Sequence, residues 1–217
     1  MKSMSTVLVI LALLSVSAAR AAVPIPVYVS NFRCAVEAVS LLVMPDGSGA
    51  TLSAVRAAGG EIVDGTISFT LMERRDDGDI PFPGYPREDI YLEWGAGSAA
   101  SCHGGAEIFW PDQTTDAQGY TEFVLPRRAG GWTTEGVQLM IAGWVAEDMG
   151  GNELPVIDLQ INSPDINGDL LVNLADIVLF TQDVGGGSTY RSDFNWDGVV
   201  DLSDIVVFSG AIGATCP

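Results

Sequence analysis

A tandem repeat near the C-terminus constrains this chain more than any other feature. DINGDLLVNLADIVLFT begins at Asp165 and DFNWDGVVDLSDIVVFS begins at Asp193, 28 residues later, with nine of seventeen positions identical. A short unit used twice is one supersecondary element that buries its apolar side against its copy. Each unit opens with Asp or Asn at alternate positions and then runs into an apolar stretch, Ile177 to Phe180 and Ile205 to Phe208. The stretch reads as a helix whose first turn carries Asp176 or Asp204, where the helix dipole favours negative charge. Its β-branched content is high for a helix, so packing of the two units is expected to override propensity.

The polar opening has the spacing of a calcium loop. Calcium takes six to eight oxygen ligands, and a twelve-residue loop supplies them from positions one, three, five, nine and twelve with a backbone carbonyl at seven. The first loop offers Asp165, Asn167, Asp169, the carbonyl of Leu171, Asn173 and Asp176. The second offers Asp193, Asn195, Asp197, the carbonyl of Val199, Asp201 and Asp204. Two calcium ions are the cofactors this implies. Val172 and Val200, both at position eight, are expected to form a short backbone bridge between the loops. From Ile161 to Pro217 there are eight Asp, no Glu, no Lys and one basic residue, Arg191. Without a cation such carboxylates repel one another and oppose folding. Position six needs a sharp turn, and a left-handed backbone there costs a branched residue roughly 1–2 kcal/mol. Leu170 holds that position in the first loop and Gly198 in the second. The second loop also has four ligating Asp against three, so it is expected to bind more tightly.

Asp rather than Glu at position twelve, loop–helix halves without an entering helix, and the tandem duplication resemble a type I dockerin module. The resemblance covers about 50 residues and implies the ligand set above. It also implies docking onto a cohesin-like or cell-surface protein, usually within polysaccharide-degrading systems. The sequence departs from the family at Leu170. It departs again at positions ten and eleven, where many cohesin-binding members carry Ser-Thr and this chain has Leu174-Ala175 and Leu202-Ser203.

The N-terminus reads as a secretory signal over residues 1–21: Lys2, an apolar core from Val7 to Leu14, and Ala19-Arg20-Ala21 before the cut. The apolar run is too short to span a bilayer. Secretion or cell-surface location follows, without membrane insertion after cleavage. The remaining chain has eight basic residues, all Arg, against 28 acidic ones. Nucleic acid is disfavoured, because phosphate binding needs clustered Lys and Arg. Export permits a disulfide. Cys34, Cys102 and Cys216 allow three single pairings, of which Cys34–Cys102 is favoured because both lie in one domain, leaving Cys216 free.

Residues 22–162 carry strand periodicity. Ile67, Phe69 and Leu71 fall on one face of an alternating run, as do Ile90, Leu92 and Trp94, then Val137, Leu139 and Ile141, then Ile157, Leu159 and Ile161, the last three alternating with Asp158, Gln160 and Asn162. Period two over such lengths marks half-buried strands, and the turn-rich pieces between them fit an antiparallel β-sandwich. The run TTDAQGYTEFVL, Thr114 to Leu125, resembles the signature of bacterial Ig-like repeats of the invasin/intimin type, where Asp and Gly shape a hairpin turn before a strand. The expected fold class is therefore mainly β: an Ig-like antiparallel sandwich over residues 22–162, then a small helical dockerin-like module of paired calcium loops over 163–217. Ser163-Pro164 is read as the break between them.

Catalytic signals are sparse. His103 is the one histidine, and no nucleophile elbow, zinc-protease motif or phosphate loop occurs. Glu93, Glu107 and Glu122 are the carboxylates that a glycoside hydrolase could use. Exposed aromatics would stack on a polysaccharide; Trp94 and Trp144 are expected in the core, while Trp110 and Trp132 are the better sugar candidates. The reading is a secreted, non-catalytic calcium-binding attachment protein. Its alternative is a carbohydrate-binding or glycoside-hydrolase domain delivered by its dockerin.

Overall fold

Each run of alternating apolar residues contributes a strand, although Ile157 makes only an isolated bridge ahead of the last one. A computed structural model describes residues 26–184, 186 and 190–217; the expected signal peptide lies outside the described residues. In chain order the strands are β1 (Val27–Arg33), β2 (Val39–Leu42), β3 (Val55–Ala57), β4 (Ile62–Val63), β5 (Ile67–Glu73), β6 (Ile80–Pro81) and β7 (Ile90–Trp94). There follow β8 (Ala100–Ser101), β9 (Ile108–Phe109), β10 (Tyr120–Phe123), β11 (Ala129–Gly130), β12 (Val137–Ile141), β13 (Trp144–Val145) and β14 (Leu159–Asn162). Two α-helices close the chain, α1 (Leu174–Asp183) and α2 (Leu202–Ala211). Among the described residues no α-helix precedes Leu174, and no helix is long and apolar enough to cross a membrane.

The strands form three larger sheets. One has the order β1-β5-β10 with β6 also on β5, a second β13-β12-β7-β9, and a third β14-β2-β3-β4; β8 and β11 make a separate pair. All pairs are antiparallel except β14 with β2. That pair corrects the expectation of purely antiparallel pairing. Parallel neighbours need a long crossover, and the chain between Leu42 and Leu159 supplies one where a hairpin cannot. One apolar cluster draws on all three sheets and includes Ile67, Phe69, Leu71, Ile90, Leu92, Trp94, Val137, Leu139, Leu159 and Ile161. The turn before β10 is shaped as its sequence implies. Asp116 Oδ1 accepts the N–H groups of Gln118 and Tyr120, both at 2.8 Å. Gly119 takes a φ of 73° that a side chain would resist.

Trp144 departs from its expected place. It is 70 % exposed, while Trp94 is buried as expected. A tight turn at Ala142 and Gly143, both with positive φ, folds the chain back at the end of β12. Trp144 therefore stands on the outermost strand of its sheet, where no further strand covers it.

The segment after Asn162 is joined closely to the sheets. Ser163 is fully buried and Pro164 is buried too, so neither acts as an exposed linker. The Gly131 N–H donates to the Asp165 carbonyl at 2.6 Å, the Gly59 N–H to the Trp196 carbonyl at 3.1 Å, and Asn162 Nδ2 to the Asp193 carbonyl at 2.8 Å. A second apolar cluster forms around Ile166, Val172, Phe180, Phe194, Val200 and Phe208, and takes in Met44, Leu42 and Trp132 from the β-rich part.

The cysteines pair differently from the expectation. Cys102 is bonded to Cys216, with Cα atoms 5.7 Å apart, and Cys34 is the free thiol. The sequence argument placed partners within one domain. The structure brings the C-terminus back across the second apolar cluster to the loop after β8, so the bond crosses between the two parts.

Candidate metal centre

The two repeat units fold alike. α1 and α2 are each ten residues long and start 28 residues apart, at Leu174 and Leu202. Each buries a narrow seam at i, i+4 and i+7: Asp176, Phe180 and Asp183 in α1, then Asp204, Phe208 and Ala211 in α2. Phe180 packs on Phe208 with ring centroids 5.5 Å apart and on Phe194 at 5.8 Å. Packing thus holds helices that are rich in branched residues.

Both helices begin with a capping box built from expected ligands. Asn173 Oδ1 accepts the Ala175 N–H at 2.7 Å while Asp176 Oδ2 accepts the Asn173 N–H at 2.9 Å. Asp201 Oδ1 accepts the Ser203 N–H at 2.7 Å, and Asp204 Oδ2 accepts the Asp201 N–H at 3.0 Å. Positions nine and twelve therefore start the helices as well as standing at expected ligand positions.

The first and twelfth residues of each loop are sunk into the structure. Asp165, Asp176 and Asp204 are fully buried and Asp193 is 2 % exposed. Each accepts at least two backbone N–H groups. Asp165 takes those of Gly168, Asp169 and Leu170, at 3.1, 3.2 and 2.7 Å. Asp193 takes those of Asp197 and Gly198, at 3.1 and 2.8 Å. Asp204 Oδ1 takes Phe194 at 2.7 Å and Asn195 at 3.3 Å, and Asp176 Oδ1 takes Asn167 at 3.1 Å. None of the four has an ion-pair partner among the described residues. Arg191, the one basic residue nearby, is spent on Asp183 at 2.8 and 2.9 Å. Burial pushes the Asp165 carboxyl up to about 6, and Asp176 and Asp169 add repulsion. Burial likewise raises Asp193 and Asp204 above the usual carboxylate range, against the pull of their N–H donors.

The remaining expected ligands lie nearer solvent. Asp169, Asp197, Asp201 and Asn167 are exposed, and Asn173 and Asn195 are half-buried. Asn167 and Asn195 each donate from Nδ2 to the Asp two residues on, at 2.9 Å. The side chain of Asn173 donates to the Leu171 carbonyl at 3.2 Å. Among the described residues no three Asp, Glu, His or Cys groups stand close enough together to form a ready metal cluster. The loop carboxylates are instead engaged with backbone N–H groups. The donor chemistry itself, all hard oxygen, fits calcium.

Two details differ from the sequence reading. Val172 does not bridge to Val200 among the described residues. Its N–H donates to the Ala214 carbonyl and its carbonyl accepts the Gly213 N–H, both at 2.9 Å, because the chain leaving α2 runs back beside the first loop. The strain is also shared. Leu170 takes a φ of 68° at position six, as expected, but Trp196 takes a φ of 56° at position four of the second loop, where the first loop has Gly168. Each loop thus carries one bulky residue in a left-handed conformation.

Gly130 of β11 is a contributor that the sequence did not flag. A side chain there would collide with the Asp165 carboxylate, and one at Gly168 would collide with the Ser98 carbonyl. Close backbone approach from the β-rich part thus walls in the first loop. His103, Glu93, Glu107 and Glu122 are not assembled with the loops. Trp132 is half-buried against the second apolar cluster, and Trp110 packs against His103 in a tilted arrangement with centroids 4.2 Å apart. Comparison of the chain with protein-family models, with characterised proteins and with solved structures found no match.

Proposed function

We propose that the C-terminal repeat is a calcium-binding, dockerin-like module, and that it attaches a non-catalytic Ig-like β-sandwich domain to a protein partner outside the cell. The observation that carries this is the set of four buried carboxylates that no basic side chain pairs among the described residues. An unpaired buried ion costs several kcal/mol, whereas burying a phenylalanine ring gains about 1.5–3 kcal/mol. Calcium, when bound, supplies the missing positive charge. Asp165, Asn167, Asp169, the Leu171 carbonyl, Asn173 and Asp176 would hold one ion. Asp193, Asn195, Asp197, the Val199 carbonyl, Asp201 and Asp204 would hold the other. The hydrogen bonds that the carboxylates now accept orient the loops, and binding would draw the exposed Asp169, Asp197 and Asp201 inward.

Attachment is supported by the outer faces of the helices. Leu174 and Val178 are 76 and 57 % exposed, and their repeats Leu202 and Val206 are 77 and 70 % exposed. Such apolar positions on a strongly acidic module suit a partner surface with apolar pockets and a basic rim. The test is binding of the full mature chain to cohesin-type domains, in calcium and in chelator. Calcium-dependent binding lost in Leu174→Asp/Leu202→Asp supports the reading; binding indifferent to calcium and to the double variant removes it.

One observation favours carbohydrate binding as a second reading. The exposed Trp144 lines a cleft of about 630 Å³ with Phe82, Tyr85, Asp89 and Glu147. Aromatic faces with nearby carboxylates suit neutral sugar rings. Retardation of the protein in polysaccharide gels, abolished by Trp144→Ala, would support it.

A further inference from the structure

Of the eight arginines after residue 21, three line one cavity of about 360 Å³ beside the loop that carries Cys102. Arg87, Arg127 and Arg128 surround it together with His103 and Trp110; Asp46 and Asp112 also lie in its wall. Both carboxylates are already engaged. Asp112 accepts Arg127 Nη2 at 2.5 Å and the N–H groups of Val124 and Leu125 at 2.9 and 3.1 Å. Asp46 accepts the N–H and the side-chain O–H of Ser48 at 2.9 and 2.7 Å. The Arg128 guanidinium has no ion-pair partner among the described residues, and that of Arg87 meets only the exposed Glu88.

Two buried donors are left over in the same place. Among the described residues three buried side-chain polar atoms lack a hydrogen-bond partner, and two of them are Trp110 Nε1 and Arg127 Nε. The Arg127 side chain is 10 % exposed and uses its other nitrogens on the Trp110 carbonyl, at 2.8 Å, and on Asp112. Native proteins pair buried N–H groups almost without exception, because an orphan costs about 1–3 kcal/mol. Two orphan donors, on residues that line a cavity with the unpaired Arg128 guanidinium and with Arg87, which meets only the exposed Glu88, call for an acceptor that carries negative charge. We infer that this cavity is a binding site for a small oxyanion, the carboxylate or sulfate of an acidic ligand, held by Arg87, Arg127, Arg128 and the Trp110 indole N–H. Arginine is suited to the task, since its planar fork matches both groups. The volume lies at the lower end of ligand pockets and restricts the ligand to a compact anion. Burial and the three arginines together hold the His103 imidazole below its ordinary pKa, which places it in the same positive field. None of the residues lining the cavity belongs to the calcium loops.

His103 is the only histidine of the chain, so its ring protons give an unambiguous NMR reporter, with the Trp110 indole N–H as a second. The full mature chain is titrated with sodium sulfate and with sodium glucuronate at constant ionic strength, with glucose as the neutral control. The expected result is a saturable shift of both reporters with at least one anion and none with glucose, weakened about tenfold by Arg128→Gln or Arg87→Gln. Both side chains are exposed, so neither substitution disturbs the core. Response to sulfate alone assigns a sulfate ester, to glucuronate alone a carboxylate, and to both a general oxyanion site. No saturable shift with either anion, an equal shift with glucose, or binding undiminished in both variants overturns the inference and leaves water as the partner of the orphan donors.

Discussion

At the scale of single residues, the two loops are closer in design than their sequences imply. Leu170 was the visible departure, because position six is where a turn glycine is expected. Trp196 pays the same backbone cost at position four, so strain does not rank the loops. Charge still does: the second loop has four Asp at expected ligand positions and the first has three. Asp193→Ala should therefore lower total calcium affinity more than Asp165→Ala, measured by titration of the full chain; equal losses would discard the ranking and keep the sites. Relieving the strain is a separate matter. Leu170→Gly should stabilise the calcium-loaded protein by about 1 kcal/mol in denaturant melts, since glycine adopts φ near 68° without a Cβ clash. A loss of stability would mean that the contacts of Leu170 outweigh its strain.

At the scale of elements, each helix begins on its own expected calcium ligands. Asn173 and Asp176 cap α1, and Asp201 and Asp204 cap α2. Asn173→Ala should cost at least about 1 kcal/mol of stability in the calcium-loaded protein, because the loss of the cap adds to the loss of a ligand. Removing calcium should reduce helical circular dichroism while strand signal persists, because the buried carboxylates lie in the helical seam. Local period decides which parts of this were legible in the sequence. Ile67, Phe69 and Leu71, and likewise Val137, Leu139 and Ile141, fill the core as their alternation predicts. The helices start where the repeat places them. Trp144 was misread because its strand-like neighbourhood ends in a tight turn at Ala142 and Gly143. The bridge from Val172 to Ala214 and the parallel pairing of β14 with β2 are long-range pairings, and no local spacing encodes them. Gly130 carries no motif, and only the approach of Asp165 gives it a role.

At the scale of the whole molecule, the C-terminal module is fastened to the β-rich part. The Cys102–Cys216 bond closes a span of 114 residues, and closing a loop of that length removes about 4–5 kcal/mol of unfolded-state entropy. Cys216→Ser should accordingly lower stability by roughly 2–5 kcal/mol and expose a second reactive thiol, Cys102, beside Cys34. An unchanged melt would show that the bond adds nothing to the packing of Trp132, Met44 and Phe180. The same fastening means that calcium binding should be felt by the full chain, since Gly131, Asn162 and Gly59 all bond to loop backbone. The most direct test is calorimetric titration of calcium into the chelator-treated protein, followed by circular dichroism. The account predicts two ions per chain, with helical signal gained as they bind and an unfolding temperature that rises with calcium concentration. Absence of calcium heat, with helical signal and unfolding temperature unchanged, would contradict it.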